Sequence, residues 1–268
     1  EHFGSGEAFG VNIRYCVEEV PLGTAGAVKN CAEFVGTDEI LVVGGDSVCD
    51  LDLSRAMEFH REKQALATIV ITAHPRPLEY GMVLTDEQGR VERFLEKPAW
   101  EQVVTNMVNT GIYILSPSIL ERIPTGEERD FGKDVFPALL ESGEQLYASV
   151  SDGYWRDIGD CESYLECVAD ALSAKVKLEY GLAQRAPGVW SAEPIPEGVT
   201  VVPPCWIGPE VRVGSGSLIG PHVVLEAGSR IGNRSLVQRS VLMGAQIGDR
   251  ATTYGAILCP GSRAGDEA

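Results

Sequence analysis

From residue 195 onward an aliphatic side chain returns at every sixth position: Ile195, Val201, Ile207, Val213, Ile219, Leu225, Ile231, Val237 and Met243. Glycine follows directly at 208, 214, 220, 232 and 244. Such a period matches neither an amphipathic helix nor an alternating strand. It matches a coil whose turns each send one aliphatic residue inward and bend at a small one, the hexapeptide-repeat β-helix. The spacing from Met243 to Ile247 breaks the period and predicts a bulge or loop near 244–246. His222, three residues after Ile219, falls on a face of this coil.

Upstream the pattern is different. Over residues 10–172 helix-like and strand-like segments alternate, as in an α/β sheet with inserted antiparallel strands. Residues 10–15 predict a strand, 24–34 a helix, and the apolar run 40–44 a buried parallel strand. Asp52 is a fitting cap for a helix over 53–63. The β-branched run 67–72 predicts another strand, and 82–85 with 90–95 a hairpin around the turn 86–89. A further strand is expected at 109–115, and helices at 134–140 and 160–172. The character changes over 173–190, which places a connector between an α/β domain, 1–172, and a β-helix, 191–268.

Composition narrows the function classes. The 268 residues carry a net charge of −17, so there is no basic field to neutralise a nucleic-acid backbone or an anionic membrane. Seven scattered cysteines contain no C-x-x-C pair, which favours reduced thiols in a cytoplasmic protein over disulfides or zinc. The four histidines show no metal-ligand spacing, and no apolar run has the length of a membrane span.

Three segments carry candidate chemistry. The glycine-spaced turn Leu22, Gly23, Thr24, Ala25, Gly26 leads into a helix, where free amides could face an anion and bare glycines admit a flat ligand. The run Ile40-Leu-Val-Val-Gly-Gly-Asp46 ends an apolar strand on a carboxylate, a plausible Mg²⁺ ligand; a turn cap is the alternative. Pro98 stops another strand and leaves Glu96 and Lys97 at its mouth, where a lysine is a suitable point charge for phosphate.

These segments, with Val108-Asn-Thr-Gly-Ile-Tyr-Ile114, Asp130-Phe-Gly-Lys-Asp-Val-Phe-Pro137 and Gly153-Tyr-Trp-Arg-Asp-Ile-Gly159, occur in the order found in sugar-phosphate nucleotidylyltransferases, which residues 1–172 resemble. The resemblance is nearest to mannose-1-phosphate guanylyltransferases. It implies an incomplete Rossmann-like nucleotidyltransferase domain, followed by the left-handed parallel β-helix of the hexapeptide family. It implies a nucleoside triphosphate and a sugar-1-phosphate as substrates, and an NDP-sugar, with GDP-mannose first and a UDP- or dTDP-hexose second. By the same resemblance Asp46 and Asp157 hold Mg²⁺, Lys97 meets the sugar phosphate, and Glu96, Gly81, Asn109 and Thr110 contact the sugar. Leu22 to Gly26 then seat the base and ribose. A homo-oligomer is expected.

Two departures qualify this. Gly44 stands where the family often has Asn or Ser, two residues before the strand-end aspartate. The family's glycine- and arginine-rich triphosphate loop is absent, and the chain opens at Glu1 without methionine, so an N-terminally truncated and by itself inactive piece is expected. Two other classes stay open: a hexapeptide acyltransferase using His222 as base, and a non-catalytic regulator that senses nucleotide sugars.

Overall fold

The computed structural model describes residues 2–268. In chain order its elements are α1 (Gly23–Asn30), β1 (Ile40–Val42), β2 (Ser47–Cys49), α2 (Leu53–Lys63), β3 (Ala67–Ala73), β4 (Met82–Thr85), β5 (Val91–Leu95), β6 (Met107–Leu115), α3 (Phe136–Glu141), β7 (Leu146–Val150), β8 (Trp155–Asp157) and α4 (Cys161–Leu172). The short strands of a coil follow. Packing divides the chain into two units: residues up to Gly45 together with Asp52–Asp152, and Asp46–Leu51 together with Gly153–Ala268.

The first unit is an α/β sheet in the order β5-β4-β6-β3-β7, with β1 also paired to β6. β6 is the spine. Its first half meets β4 at Val108 and its last three residues meet β1, while β3 runs along its other edge. β3 is buried from Ala67 to Thr72, which its β-branched composition predicts, and it pairs with β7 in parallel. Asp52 caps α2 by accepting the Arg55 amide at 3.1 Å, as expected from the sequence. Under the sheet, Tyr113, Phe131 and Phe136 pack with ring centroids 5.0–5.5 Å apart.

Four expectations fail here. Residues 10–15 form no strand: the Ile13 and Val11 amides turn back to Ser5 and Gly6, so no ladder partner is recruited. β1 is antiparallel to β6, not parallel, and it lies at an edge that leaves Leu41 43% exposed. The helix expected over 24–34 ends at Asn30 and is followed by a separate turn at Ala32–Phe34. The segment before α3 starts earlier than expected, as a single π-helical turn over Phe131–Val135 whose amides at 132 and 133 donate to Asp130.

In the second unit, residues from Val189 wind into a parallel β-helix of three ladders. After a first pairing sixteen residues apart, Val189 opposite Cys205, the coils register eighteen apart, as Leu218 opposite Leu236 and Arg212 opposite Arg230 show. The inward column holds the expected aliphatics: Ile207, Ile219, Leu225, Ile231 and Val237 are buried. Serines 217, 229 and 235 are buried beside them, each donating its hydroxyl to a carbonyl of the next coil.

The break in the period comes earlier than the sequence suggests. Leu225 is opposite Leu242, which is fully buried, while Met243 is only half-buried. The corner Gly220–His222 has three residues; its counterpart has two, Arg239 and Ser240, with Arg239 in the left-handed region at φ 45°. A second residue is lost before Gln246, which pairs with Arg230. His222 therefore sits at a corner, not on a face, with φ 58° and its amide on the Pro204 carbonyl.

Glycines 214, 232 and 248 form a column in which a Cβ has no place, and Gly265 ends the column with open space around it. One on Gly214 would lie 2.6 Å from the Gly232 backbone, one on Gly232 2.5 Å from Gly248, and one on Gly248 2.7 Å from Gly265.

Candidate active site

In the first unit, the sheet gathers the residues around Glu96. β5 ends at Leu95, and Glu96 follows with its carboxylate between two glycines. A Cβ on Gly81 or on Gly132 would each come within 2.9 Å of Glu96 Oε2 and would also press on Phe94. Both positions are thus kept bare to seat one carboxylate. Burial, then the Asp130 charge, push the Glu96 carboxyl above the usual range, with Lys97 and Lys133 opposing. Lys97 is exposed and adopts φ 40° immediately before Pro98. The left-handed region costs a non-glycine residue on the order of 1–3 kcal/mol and is concentrated at functional sites.

Asn109 reaches the same neighbourhood. Its amide donates to the Gly81 carbonyl at 2.8 Å, its side-chain nitrogen to the Tyr113 hydroxyl at 2.9 Å, and its side-chain oxygen accepts from Gly111. Burial pushes the Tyr113 phenol up to about 12. Thr110 points elsewhere: it is buried and donates to the Val70 carbonyl at 2.8 Å, where β3 and β6 slip register. Its hydroxyl holds the bulge.

The glycine turn is occupied by protein. The Ala25 and Gly26 amides both donate to the Arg129 carbonyl, at 2.9 and 3.1 Å. Gly23 and Gly26 would clash through a Cβ with the carbonyls of Arg129 and Glu127. The bareness of these two glycines serves the 127–130 segment. Ala25 and Gly26 are buried, Leu22 and Gly23 half-buried, and Thr24 exposed. The Thr24 hydroxyl donates to Asp130 and accepts from the Phe131 amide, so this turn is tied to the loop that carries Asp130 and Lys133.

In the second unit, β2 and β8 form a two-stranded antiparallel ladder with Ser47 opposite Asp157. The Ile158 amide donates to the Asp46 carbonyl at 2.8 Å, so the backbones of Asp46 and Asp157 are neighbours although 111 positions separate their numbers. Asp46 is exposed, Asp157 half-buried. Asp50 fixes the far end by accepting the amides of Tyr154 and Lys177, which hold its carboxyl low. β8 is anchored to α4 by Arg156, whose guanidinium meets Glu166 and Asp170. Burial alone would raise the Asp170 carboxyl, but Lys175, Tyr154 and Arg156 hold it low.

Two carboxylates carried on neighbouring backbone positions would suit a hard divalent cation that takes its remaining oxygens from phosphate. Among the described residues no group of three or more His, Cys, Asp or Glu could hold a metal, so there is no closed cage of the zinc type. The residues present fit an ion shared with a phosphorylated ligand.

Asp130, Lys133 and Tyr113 lie beyond the residues singled out from sequence. The spacing Asp130-Phe-Gly-Lys133 was the available signal, since an aspartate followed by glycine two residues on is a self-capping turn. Arg156 and Asp170 carry no such signal.

Residues 1–174 match the model of the nucleotidyl transferase family, and the chain belongs to that family. It is 35% identical over 253 residues to a UTP–glucose-1-phosphate uridylyltransferase of Synechocystis, covering 81% of this chain and 65% of the relative. It is 39% identical over 169 residues to the mannose-1-phosphate guanylyltransferase of Mycobacterium tuberculosis, covering 63% of this chain and 46% of the relative. The chain thus spans about half to two thirds of these relatives. A solved structure of a putative glucose-1-phosphate thymidylyltransferase from Bacillus anthracis shares the fold, with a TM-score of 0.57 at 24% identity over 66% of this chain and 71% of that one. No helix among the described residues is long and apolar enough to cross a membrane.

Proposed function

We propose that this chain serves sugar-1-phosphate nucleotidylyl transfer, with GTP and mannose-1-phosphate as substrates and GDP-mannose and pyrophosphate as products. The observation that carries the reading is the β2–β8 ladder, which makes neighbours of Asp46 and Asp157. These two residues hold the divalent ion, Mg²⁺ in this reading. When bound, it neutralises phosphate charge and aligns the reacting oxygens.

The remaining roles belong to side chains of the first unit. Lys97 neutralises the sugar phosphate. Glu96 and Asn109 accept from and donate to sugar hydroxyls, and Gly81 leaves the Glu96 carboxylate its space. Thr110 acts through the β6 bulge that orients Asn109. Leu22, Gly23, Thr24, Ala25 and Gly26 position the nucleotide through backbone shape, with the Ala25 and Gly26 amides already committed to Arg129. Bond making is a displacement at the α-phosphorus: a sugar-phosphate oxygen forms the new P–O bond and pyrophosphate leaves with the electrons of the old one. The protein's contribution is positioning and charge. The repeat coil serves self-association in this reading; its outward Leu218 and Leu236 stack in register.

The test is pyrophosphate release with GTP, UTP and dTTP, each paired with mannose-1-phosphate and glucose-1-phosphate, with and without Mg²⁺. GTP with mannose-1-phosphate is expected to be fastest, and only with the ion. Faster release from UTP and glucose-1-phosphate would move the assignment to the uridylyltransferase side of the family.

A further inference from the structure

Within the second unit, α4 and the segment after it stand against one face of the coil and border an open cleft of about 540 Å³. That volume lies in the range of small-molecule sites. Its walls are apolar and fixed. The Trp206 indole N–H donates to the Tyr180 carbonyl at 2.9 Å, and the Tyr180 hydroxyl donates to the Ala171 carbonyl at 2.6 Å. Tyr180 also stacks on Trp190, with centroids 3.9 Å apart. Both lining rings thus spend their polar atoms inside the protein and offer hydrocarbon to the cleft. Leu172 adds to the wall, and Leu178 at its edge is 49% exposed, a large apolar surface left in water.

The charge at this cleft has one sign. Glu179 and Glu226 line it, and no lysine, arginine or histidine does. Among the described residues neither glutamate is in an ion pair, whereas nearby Glu162, Glu166 and Asp170 each have a cationic partner. Two exposed carboxylates outside any ion pair, on a cleft also lined by Trp206, form a cation-selective rim over an apolar floor.

We infer that this cleft binds a small organic cation, a protonated or quaternary amine carried on an apolar or aromatic body. The apolar body covers Leu178 and lies against Trp206, and the ammonium group pairs with Glu179 and Glu226. The inference is independent of the transfer reaction, since it uses none of the residues assigned to it.

The test is an NMR titration of the full chain, nitrogen-labelled at tryptophan, with naphthylmethylamine and, separately, with the near-isosteric naphthylacetate. The Trp206 indole signal is assigned from the spectrum of Trp206→Phe. The amine is expected to shift that signal to saturation and to leave those of Trp100 and Trp155 in place. The carboxylate probe should bind at least about tenfold more weakly, as expected for one close charge pair at a protein surface. Glu179→Gln with Glu226→Gln should weaken the amine and remove the discrimination, while the unchanged remaining spectrum reports an intact fold. Equal titration by both probes would overturn the inference. So would a double variant that still prefers the amine, or an amine that leaves Trp206 unmoved.

Discussion

The Ile158 amide donates to the Asp46 carbonyl at 2.8 Å, so that Asp46 and Asp157 leave the backbone at adjacent points of one two-stranded ladder. Neither carboxylate depends on a long loop for its place. β2 and β8 fix one another, and Arg156 and Asp50 fix the ladder from behind.

Asp46→Asn and Asp157→Asn are each expected to lower turnover by about 10²-fold or more, because the charge they hold stabilises the transition state by several kcal/mol. Pyrophosphate release at saturating Mg²⁺ is the measurement. A near-normal rate in either variant would remove that residue from the metal site.

Gly81→Ala and Gly132→Ala should both act through Glu96. Either Cβ meets Glu96 Oε2 and Phe94, and the Phe94 ring packs on Phe136 and cannot retreat freely. Each substitution is expected to raise the KM for the sugar phosphate by about tenfold. The double variant should cost less than the sum, since both push the same two side chains. Nucleotide affinity by calorimetry should not move; if it falls instead, Glu96 belongs to the nucleotide.

The Glu96 carboxyl is raised, first by burial and then by Asp130, so its ionised form is disfavoured in the folded chain. Well below the ordinary carboxylate range both folded and unfolded states carry the proton, and the group has no effect. As the pH rises from that range through the raised folded value, the unfolded chain releases the proton first and stability is lost. Glu96→Gln should therefore gain in Tm relative to the parent with increasing pH over this interval. A difference in Tm that stays flat with pH would contradict the raised value.

Gly232→Ala is expected to destabilise the second unit by about 1–3 kcal/mol, because its Cβ would lie 2.5 Å from the Gly248 backbone and backbone must move. Urea unfolding followed by tryptophan fluorescence reads this. Unchanged stability would mean that the coil spacing is softer than the structure implies.

The sequence carried much of this architecture where a local rule decides the outcome. Asp52 announces α2 because a cap bonds only three residues ahead, and the six-residue period of aliphatics announces the coil because each turn repeats the same burial. It was less informative where a distant partner decides. The run 40–44 is apolar, yet its direction depends on β6, some seventy positions away. The bareness of Gly23 and Gly26 looks the same in sequence whether a ligand or the Arg129 carbonyl fills it. Thr110 sits in a motif beside Asn109, but the β6 bulge turns its hydroxyl to Val70. In the coil, Leu242 rather than Met243 takes the inward place because a corner lost one residue, and nothing in the periodicity distinguishes a shortened corner from a bulge.

The glycine column of the coil has a hereditary consequence. Each of Gly214, Gly232 and Gly248 is forbidden a side chain by the backbone of the coil that follows it, not by its own surroundings. A side chain at any one of them is admitted only if the backbone of the next coil shifts, so the three are separate constraints on descent and replacing one does not release its neighbour.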